Sequence, residues 1–153
     1  MATVRLSLSA CIAAATLSVG STASAQTEMY KARLSPTPVE SSTLASITGA
    51  GSATATLSGR SLAVRGTFEG MKTAATIAQI HLGPRGVRGP VMFDLTVIKG
   101  TAGAGTLAGT FTLTPELVEA VKRGRFYVQV HSEKAPDGNL WGWLLPVEKD
   151  AAR

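Results

Sequence analysis

Hydrophobic residues recur at every second position in several short stretches of this chain, and that spacing is typical of half-buried β-strands. The clearest case is Phe126, Val128 and Val130, which alternate with more polar neighbours. Segments rich in glycine, proline and serine separate these stretches and supply the turns. The pattern predicts strands at residues 30–34, 52–57, 62–68, 76–82, 91–98, 107–113, 126–131 and 140–145.

One segment, residues 115–123, instead has apolar residues at helical spacing, with signals that begin and end a helix. Thr114 can cap the first turn, Pro115 suits the first helical position, and Gly124 favours a left-handed stop. A further local signal is Pro-Asp-Gly-Asn at residues 136–139, which predicts the turn before the last strand. We therefore expect a short helix followed by a β-hairpin in this part of the chain.

The spacing of these elements predicts the fold class. The strands follow one another at intervals of about ten residues, without the intervening helices that a parallel sheet needs. The sequence therefore predicts an all-β protein: an antiparallel, Greek-key-like sandwich or barrel of about eight short strands, with one short helix near residues 115–123.

The first 25 residues have the composition of a signal peptide. Arg5 precedes a mostly small and apolar run, and Ala-Ser-Ala at residues 23–25 fits a cleavage site. We expect cleavage near Ala25, a single domain over residues 26–153, and a secreted or periplasmic location. The rival interpretation is a lipoprotein anchored through Cys11 of Leu-Ser-Ala-Cys, but the apolar run before that cysteine is short. Cys11 is the only cysteine, so the mature domain is expected to have no disulfide.

The net charge of +5 arises from basic residues that are scattered along the chain. Scattered basic residues are typical of a solvated surface and argue against a nucleic-acid partner. After the predicted signal peptide, no apolar segment reaches the roughly 20 residues of a membrane-spanning helix, so we do not expect an integral membrane protein.

Three longer motifs suggest a family. They are TIAQIHLGPRGVRGPVMFDL at residues 76–95, GTLAGTFTLTPELVEAVKRGRFYVQVHS at residues 105–132, and PDGNLWGWL at residues 136–144. Together they resemble the CHRD domain, a module named after its repeats in chordin and also found alone in exported bacterial proteins. The resemblance implies an all-β fold and no established catalytic activity. It predicts an exported, non-enzymatic module that binds a protein or polysaccharide partner or has a structural role.

The two histidines, His81 and His131, define the alternative function. They lie on separate predicted strands, and each is on the side of its strand opposite the more apolar face. If the two strands are neighbours, both histidines could bind one copper or zinc ion. Two ligands are fewer than the three or four of most zinc sites, and Asp94, Glu133 or Asp137 would have to complete the set. The simpler interpretation is that each imidazole forms its own local hydrogen bond. The alternative function is thus a small periplasmic metal-binding protein.

Signals for catalysis are weak. No serine has the G-x-S-x-G setting of a hydrolase nucleophile, and the acidic residues are too dispersed to suggest a pair of catalytic carboxylates. We therefore predict no enzymatic activity and no obligatory cofactor.

A candidate binding surface comes from aromatic and basic residues. Trp141 and Trp143, together with Tyr127, could present an aromatic face, or the tryptophans could pack into the core. Arg85 and Arg88, in the glycine-rich loop before residue 91, could bind an anion, or the loop could simply connect two strands.

Overall fold

The computed structural model describes residues 26–101 and 103–148. The predicted signal peptide and the Leu-Ser-Ala-Cys segment at residues 8–11, which includes Cys11, lie outside these residues. The elements in chain order are β1 (Thr27–Pro36), β2 (Ala50–Ser58), β3 (Ser61–Glu69), β4 (Ala75–Leu82), β5 (Val91–Lys99), β6 (Gly105–Thr112), α1 (Pro115–Lys122), β7 (Phe126–Ser132), β8 (Ala135–Trp143) and β9 (Leu145–Pro146).

The first eight strands form a closed antiparallel barrel. Around the barrel the order is β2-β3-β6-β5-β4-β7-β8-β1, and β1 pairs with β2 to complete the circle. The short β9 adds a second contact to β1. β4, β5 and β6 are successive neighbours, and β6 returns to lie beside β3, which is a Greek-key arrangement. The all-β prediction is therefore confirmed, with the barrel as the form that the fold takes.

Two strands bend from one half of the barrel to the other. Residues 27–34 of β1 pair with β2, whereas Ser35 and Pro36 pair with Trp141 and Leu140 of β8. In β5, the residues up to Leu95 pair with β4 and those from Thr96 onward pair with β6. Strands that switch sheets in this way form the corners at which two sheets join.

The inward residues of each strand build one hydrophobic core. In β1 the buried positions alternate strictly with exposed ones, so that Tyr30, Ala32 and Leu34 point inward. The same period-two rule holds in β2 and in most of β3. β7 differs because all seven of its residues are buried. Its outer face is therefore covered, a property that an alternating sequence does not predict.

The helix signals act as predicted. The Thr114 hydroxyl accepts a hydrogen bond from the Leu117 backbone N–H, and Pro115 occupies the first helical turn. Gly124 has a φ of 63°, the left-handed conformation that ends many helices. Among the described residues, no helix is long and apolar enough to cross a membrane.

Two local predictions were wrong. β1 continues through Ser35 and Pro36, past the end predicted at residue 34, because Pro36 is the last residue of the strand, where its missing N–H is tolerated. The Pro-Asp-Gly-Asn segment lies inside β8, and the reversal of the chain occurs at Glu133 and Lys134. The pairing of β7 with β8 shifts register here, so residues 136–139 form an irregular, bulged segment of the strand.

The side chain of Asn139 anchors this bulged segment, and substituting it tests how much the anchoring stabilises the protein. Its side-chain amide donates to the Thr48 carbonyl at 2.6 Å and its carbonyl accepts from the Ser132 hydroxyl at 3.1 Å. Asn139→Ala leaves the buried Ser132 hydroxyl and the partly buried Thr48 carbonyl without these partners, so we expect the free energy of unfolding to fall by about 2 kcal/mol. Urea denaturation measures this. Ser132→Ala removes only one of the two bonds and is expected to cost about 1 kcal/mol; equal losses would contradict the anchoring role.

Candidate functional site: a buried histidine pair beneath an aromatic and basic surface

The outer faces of β4, β7 and β8 carry the candidate residues side by side. Strand pairing places His81 of β4 opposite Tyr127 of β7, and Tyr127 opposite Trp143 of β8. On the same face of β7, Gln129 lies opposite Trp141. Side chains opposite one another on adjacent strands are close enough to interact directly. The barrel thus joins residues that are more than 60 positions apart in sequence.

Two segments cover this outer face. The first is the loop at residues 83–90, whose Gly89 N–H donates to the Tyr127 hydroxyl at 3.0 Å. The second is the bulged start of β8, whose Asp137 carbonyl accepts a bond from Gln129 at 2.8 Å. The Arg88 guanidinium connects the two segments by donating to that same Asp137 carbonyl at 2.7 Å. As a result His81 and His131 are each only 7% exposed, although both lie on the outer side of the sheet.

Each imidazole has one hydrogen-bonded and one unpartnered nitrogen. Nδ1 of His81 bonds to the Gly89 carbonyl at 2.9 Å, and Nδ1 of His131 bonds to the Pro136 carbonyl at 2.7 Å. A carbonyl can only accept, so both Nδ1 atoms carry the proton. In the neutral form of such a ring, Nε2 carries a bare lone pair. Both Nε2 atoms are buried, and neither has a hydrogen-bond partner among the residues that the structure describes.

Burial lowers the pKa of His81 below its ordinary value near 6.5. The bond to the Gly89 carbonyl opposes this shift, while the nearby His131 and Arg88 add to it because they disfavour a second positive charge. The His81 ring is therefore neutral at pH 7.

The aromatic rings form a continuous cluster that runs from the histidine pair to the surface. The ring centres of His131 and His81 are 6.4 Å apart, those of His81 and Tyr127 are 4.9 Å apart, and those of Tyr127 and Trp143 are 4.8 Å apart. Trp141 meets Trp143 edge-on at 4.8 Å. These separations lie within the range of favourable aromatic contacts. Tyr127 is fully buried and supports the partly exposed tryptophans from below.

Trp141 and Trp143 line a surface depression that also carries basic side chains. It has a volume of about 280 Å³ and includes Lys31 and Arg33 of β1 and Arg85 of the covering loop. Lys31, Arg33 and Ser35 alternate with the core residues of β1, so strand parity directs all three outward beside β8 and β9. The Trp143 indole N–H donates to the Gly83 carbonyl at 3.0 Å, which holds the covering loop against the edge of the depression.

The depression is electropositive. No acidic residue lines it, and it contains three basic side chains. Both ion pairs found within residues 26–101 and 103–148 involve Lys122, so Lys31, Arg33 and Arg85 have no acidic partner there. A larger depression of about 490 Å³, over β2, β3 and β6, carries one charged residue, Arg65, and no aromatic side chain.

The structure brings together most of the residues that the sequence suggested. His81 and His131 are neighbours, and Trp141, Trp143 and Arg85 share one depression. Arg88 instead connects the two covering segments. The acidic residues considered as further metal ligands do not join the histidines: no group of three or more His, Cys, Asp or Glu suited to a metal occurs within the described ranges, and Asp94 accepts a hydrogen bond from Gln79.

Sequence reasoning missed Lys31 and Arg33. They lie more than 100 residues before the tryptophans, and the only local signal was their alternation with Tyr30, Ala32 and Leu34. That alternation predicts an outward face. It does not predict which strand lies beside that face.

The family follows from a comparison with family models. The CHRD domain model matches residues 22–144, which is most of the chain, and the chain therefore belongs to the CHRD domain family. This is not a known enzyme family, and membership suggests a binding or structural module. Searches of curated proteins and of solved structures gave no significant match.

Proposed function

We propose that this CHRD protein is an exported, non-enzymatic binding module that binds an acidic polysaccharide outside the cytoplasm. The observation that carries the proposal is the depression in which Trp141 and Trp143 lie beside Lys31, Arg33 and Arg85. The predicted signal peptide at residues 1–25 supports the location.

The chemistry of the surface favours this ligand class. Tryptophan presents a large apolar face that can pack against the C–H face of a sugar ring, and its edge remains compatible with water. The three basic side chains are not neutralised by acidic neighbours in the described residues, so they can pair with carboxylate or sulfate groups on the polymer. Because the depression lies open at the surface beside β1 and β8, a polysaccharide chain can reach it from solvent.

Alginate, a carboxylated polysaccharide, serves as the acidic ligand in the binding experiment, and uncharged dextran is the comparison. Trp141→Ala removes a central aromatic contact and is expected to weaken alginate binding by about tenfold. Lys31→Ser removes one exposed charge and is expected to weaken binding about two- to fivefold and to reduce its dependence on salt. Isothermal titration calorimetry at low and high salt measures both effects.

Lys99→Ser is the matched control. Lys99 is an exposed lysine at the end of β5, across the barrel from β1, so the same change in net charge occurs far from the depression. We expect this variant to bind alginate like the parent protein. Equal losses in the Lys31 and Lys99 variants would show diffuse charge attraction, and binding of dextran as tight as that of alginate would contradict an acidic ligand.

A further inference from the structure

The polysaccharide surface leaves the buried histidine pair unexplained. Two Nε2 lone pairs lie out of contact with solvent and without a hydrogen-bond partner in the described part of the chain. A buried polar atom that lacks a partner costs stability, so such atoms are rare in folded proteins. The two nitrogens cannot satisfy each other, because both are acceptors once their Nδ1 atoms carry the protons.

Each ring is hydrogen-bonded in the way that is common for a metal-binding histidine. A histidine that binds a metal commonly donates its other N–H to a backbone carbonyl or carboxylate, which fixes the tautomer and the ring orientation. His81 and His131 both have this bond, to Gly89 and Pro136 respectively. The covering segments that provide these carbonyls are held together by Arg88. Each ring is therefore held in one tautomer and one orientation before any ion arrives.

The distance between the rings fits a shared ion. A metal–nitrogen bond is about 2.0–2.1 Å long, and Nε2 lies about 1 Å from the ring centre, so two imidazoles on opposite sides of one ion have centres about 6 Å apart. The observed separation of the ring centres is 6.4 Å and the ring planes are inclined by 30°, so the separation of the centres is compatible with one ion between the rings.

A site with only two histidine ligands favours copper(I) over zinc. Zinc sites use three or four protein ligands, and no third histidine, cysteine or acidic residue joins the pair within residues 26–101 and 103–148. Copper(I) is a d¹⁰ ion that is stable with two ligands in a line, and imidazole suits copper. It also carries a single charge, and a single charge costs less than a double charge to bury where no carboxylate compensates it.

We propose that His81 and His131 bind one copper(I) ion through their Nε2 atoms, in a two-coordinate site beneath the 83–90 loop. This proposal does not rest on polysaccharide binding, because it uses neither tryptophan nor any of the three basic side chains of the depression. It assigns the CHRD barrel a second ligand of a different chemical class.

The experiment is an anaerobic titration of the full chain with copper(I), in competition with a chromophoric chelator. All proteins carry Cys11→Ser, because Cys11 is the one thiol of the chain and would bind copper(I) itself. We expect one ion per chain. His81→Gln and His131→Gln each remove a direct ligand and are expected to weaken binding by at least about 100-fold. The control is Met29→Leu, which removes the sulfur atom of an exposed methionine in β1. It is expected to leave copper(I) binding unchanged.

Nitrogen-15 NMR of the unsubstituted histidines keeps the proposal testable if a glutamine variant fails to fold. One equivalent of copper(I) is expected to shift both Nε2 resonances, while both Nδ1 atoms keep their protons. The proposal is overturned if neither Nε2 responds, if the double His81→Gln, His131→Gln variant keeps the bound ion, or if zinc(II) competes equally well for the site.

Discussion

Replacing Gly142 by alanine is expected to reduce the free energy of unfolding by about 3 kcal/mol, the upper part of the range for overpacked cores. A Cβ at this position would collide with the Arg33 carbonyl oxygen, lie 2.9 Å from the Arg33 carbonyl carbon, and lie 3.0 Å from a Leu34 methyl group. The obstacle is mainly backbone, so no change of rotamer relieves it. β1 and β8 would have to separate, and their short pairing is one of the contacts that keep the barrel closed.

Urea denaturation of Gly142→Ala measures the loss, with Gly59→Ala as the control. Gly59 lies in the turn between β2 and β3 with a φ of 57°, and no atom lies within 4 Å of the place that an alanine methyl group would occupy there. Alanine at this position is expected to cost only about 1 kcal/mol, from the left-handed backbone conformation. If the two variants lose the same stability, close packing of β1 against β8 does not limit position 142.

Replacing Tyr127 by alanine is expected to cost about 4 kcal/mol, in the range for removing a buried aromatic ring. The ring is fully buried, with ring centres 4.9 Å from His81 and 4.8 Å from Trp143. Its hydroxyl also accepts the hydrogen bond from Gly89 that holds the covering loop. Removing the side chain opens a cavity between the histidines and the tryptophans and frees the loop above them.

The Tyr127→Phe variant separates packing from hydrogen bonding. It keeps the ring and loses only the hydroxyl, so we expect a cost of about 1–2 kcal/mol from the unpaired Gly89 N–H. Chemical denaturation followed by tryptophan fluorescence measures both variants. A phenylalanine variant as unstable as the alanine variant would show that the hydrogen bond, and not the ring, supplies most of the stabilisation.

Tyr127 also explains why the two proposed sites lie together. One side of its ring contacts the imidazole of His81, and Trp143 and Trp141 pack around the rest of it. The buried histidine pair and the basic, aromatic depression are therefore successive layers of one aromatic cluster. A substitution in the middle layer is expected to disturb both, whereas Lys31 on the surface and His131 below can each be changed without touching the other.

The sequence by itself determined the elements whose causes are local. Alternation of apolar residues predicted the strands, because one face of each strand must be buried and the side-chain period of a strand is two. Thr114, Pro115 and Gly124 predicted the helix ends, because capping depends only on residues within a turn of one another. The CHRD motifs predicted the family and, with it, the all-β fold.

The tertiary structure decided everything that depends on which strands are neighbours. Pro136 to Asn139 has turn chemistry, but pairing with β7 and the bond from Asn139 to Thr48 hold it in a bulged strand. The histidines have the parity of an exposed face, yet the 83–90 loop and the bulged start of β8 fold back over them and bury them. Lys31 and Arg33 join the tryptophans only because β1 lies beside β8 in the barrel. The physical reason is common to all three: local patterns direct a side chain to one side of its strand, and only long-range pairing and the covering loops determine what it meets there.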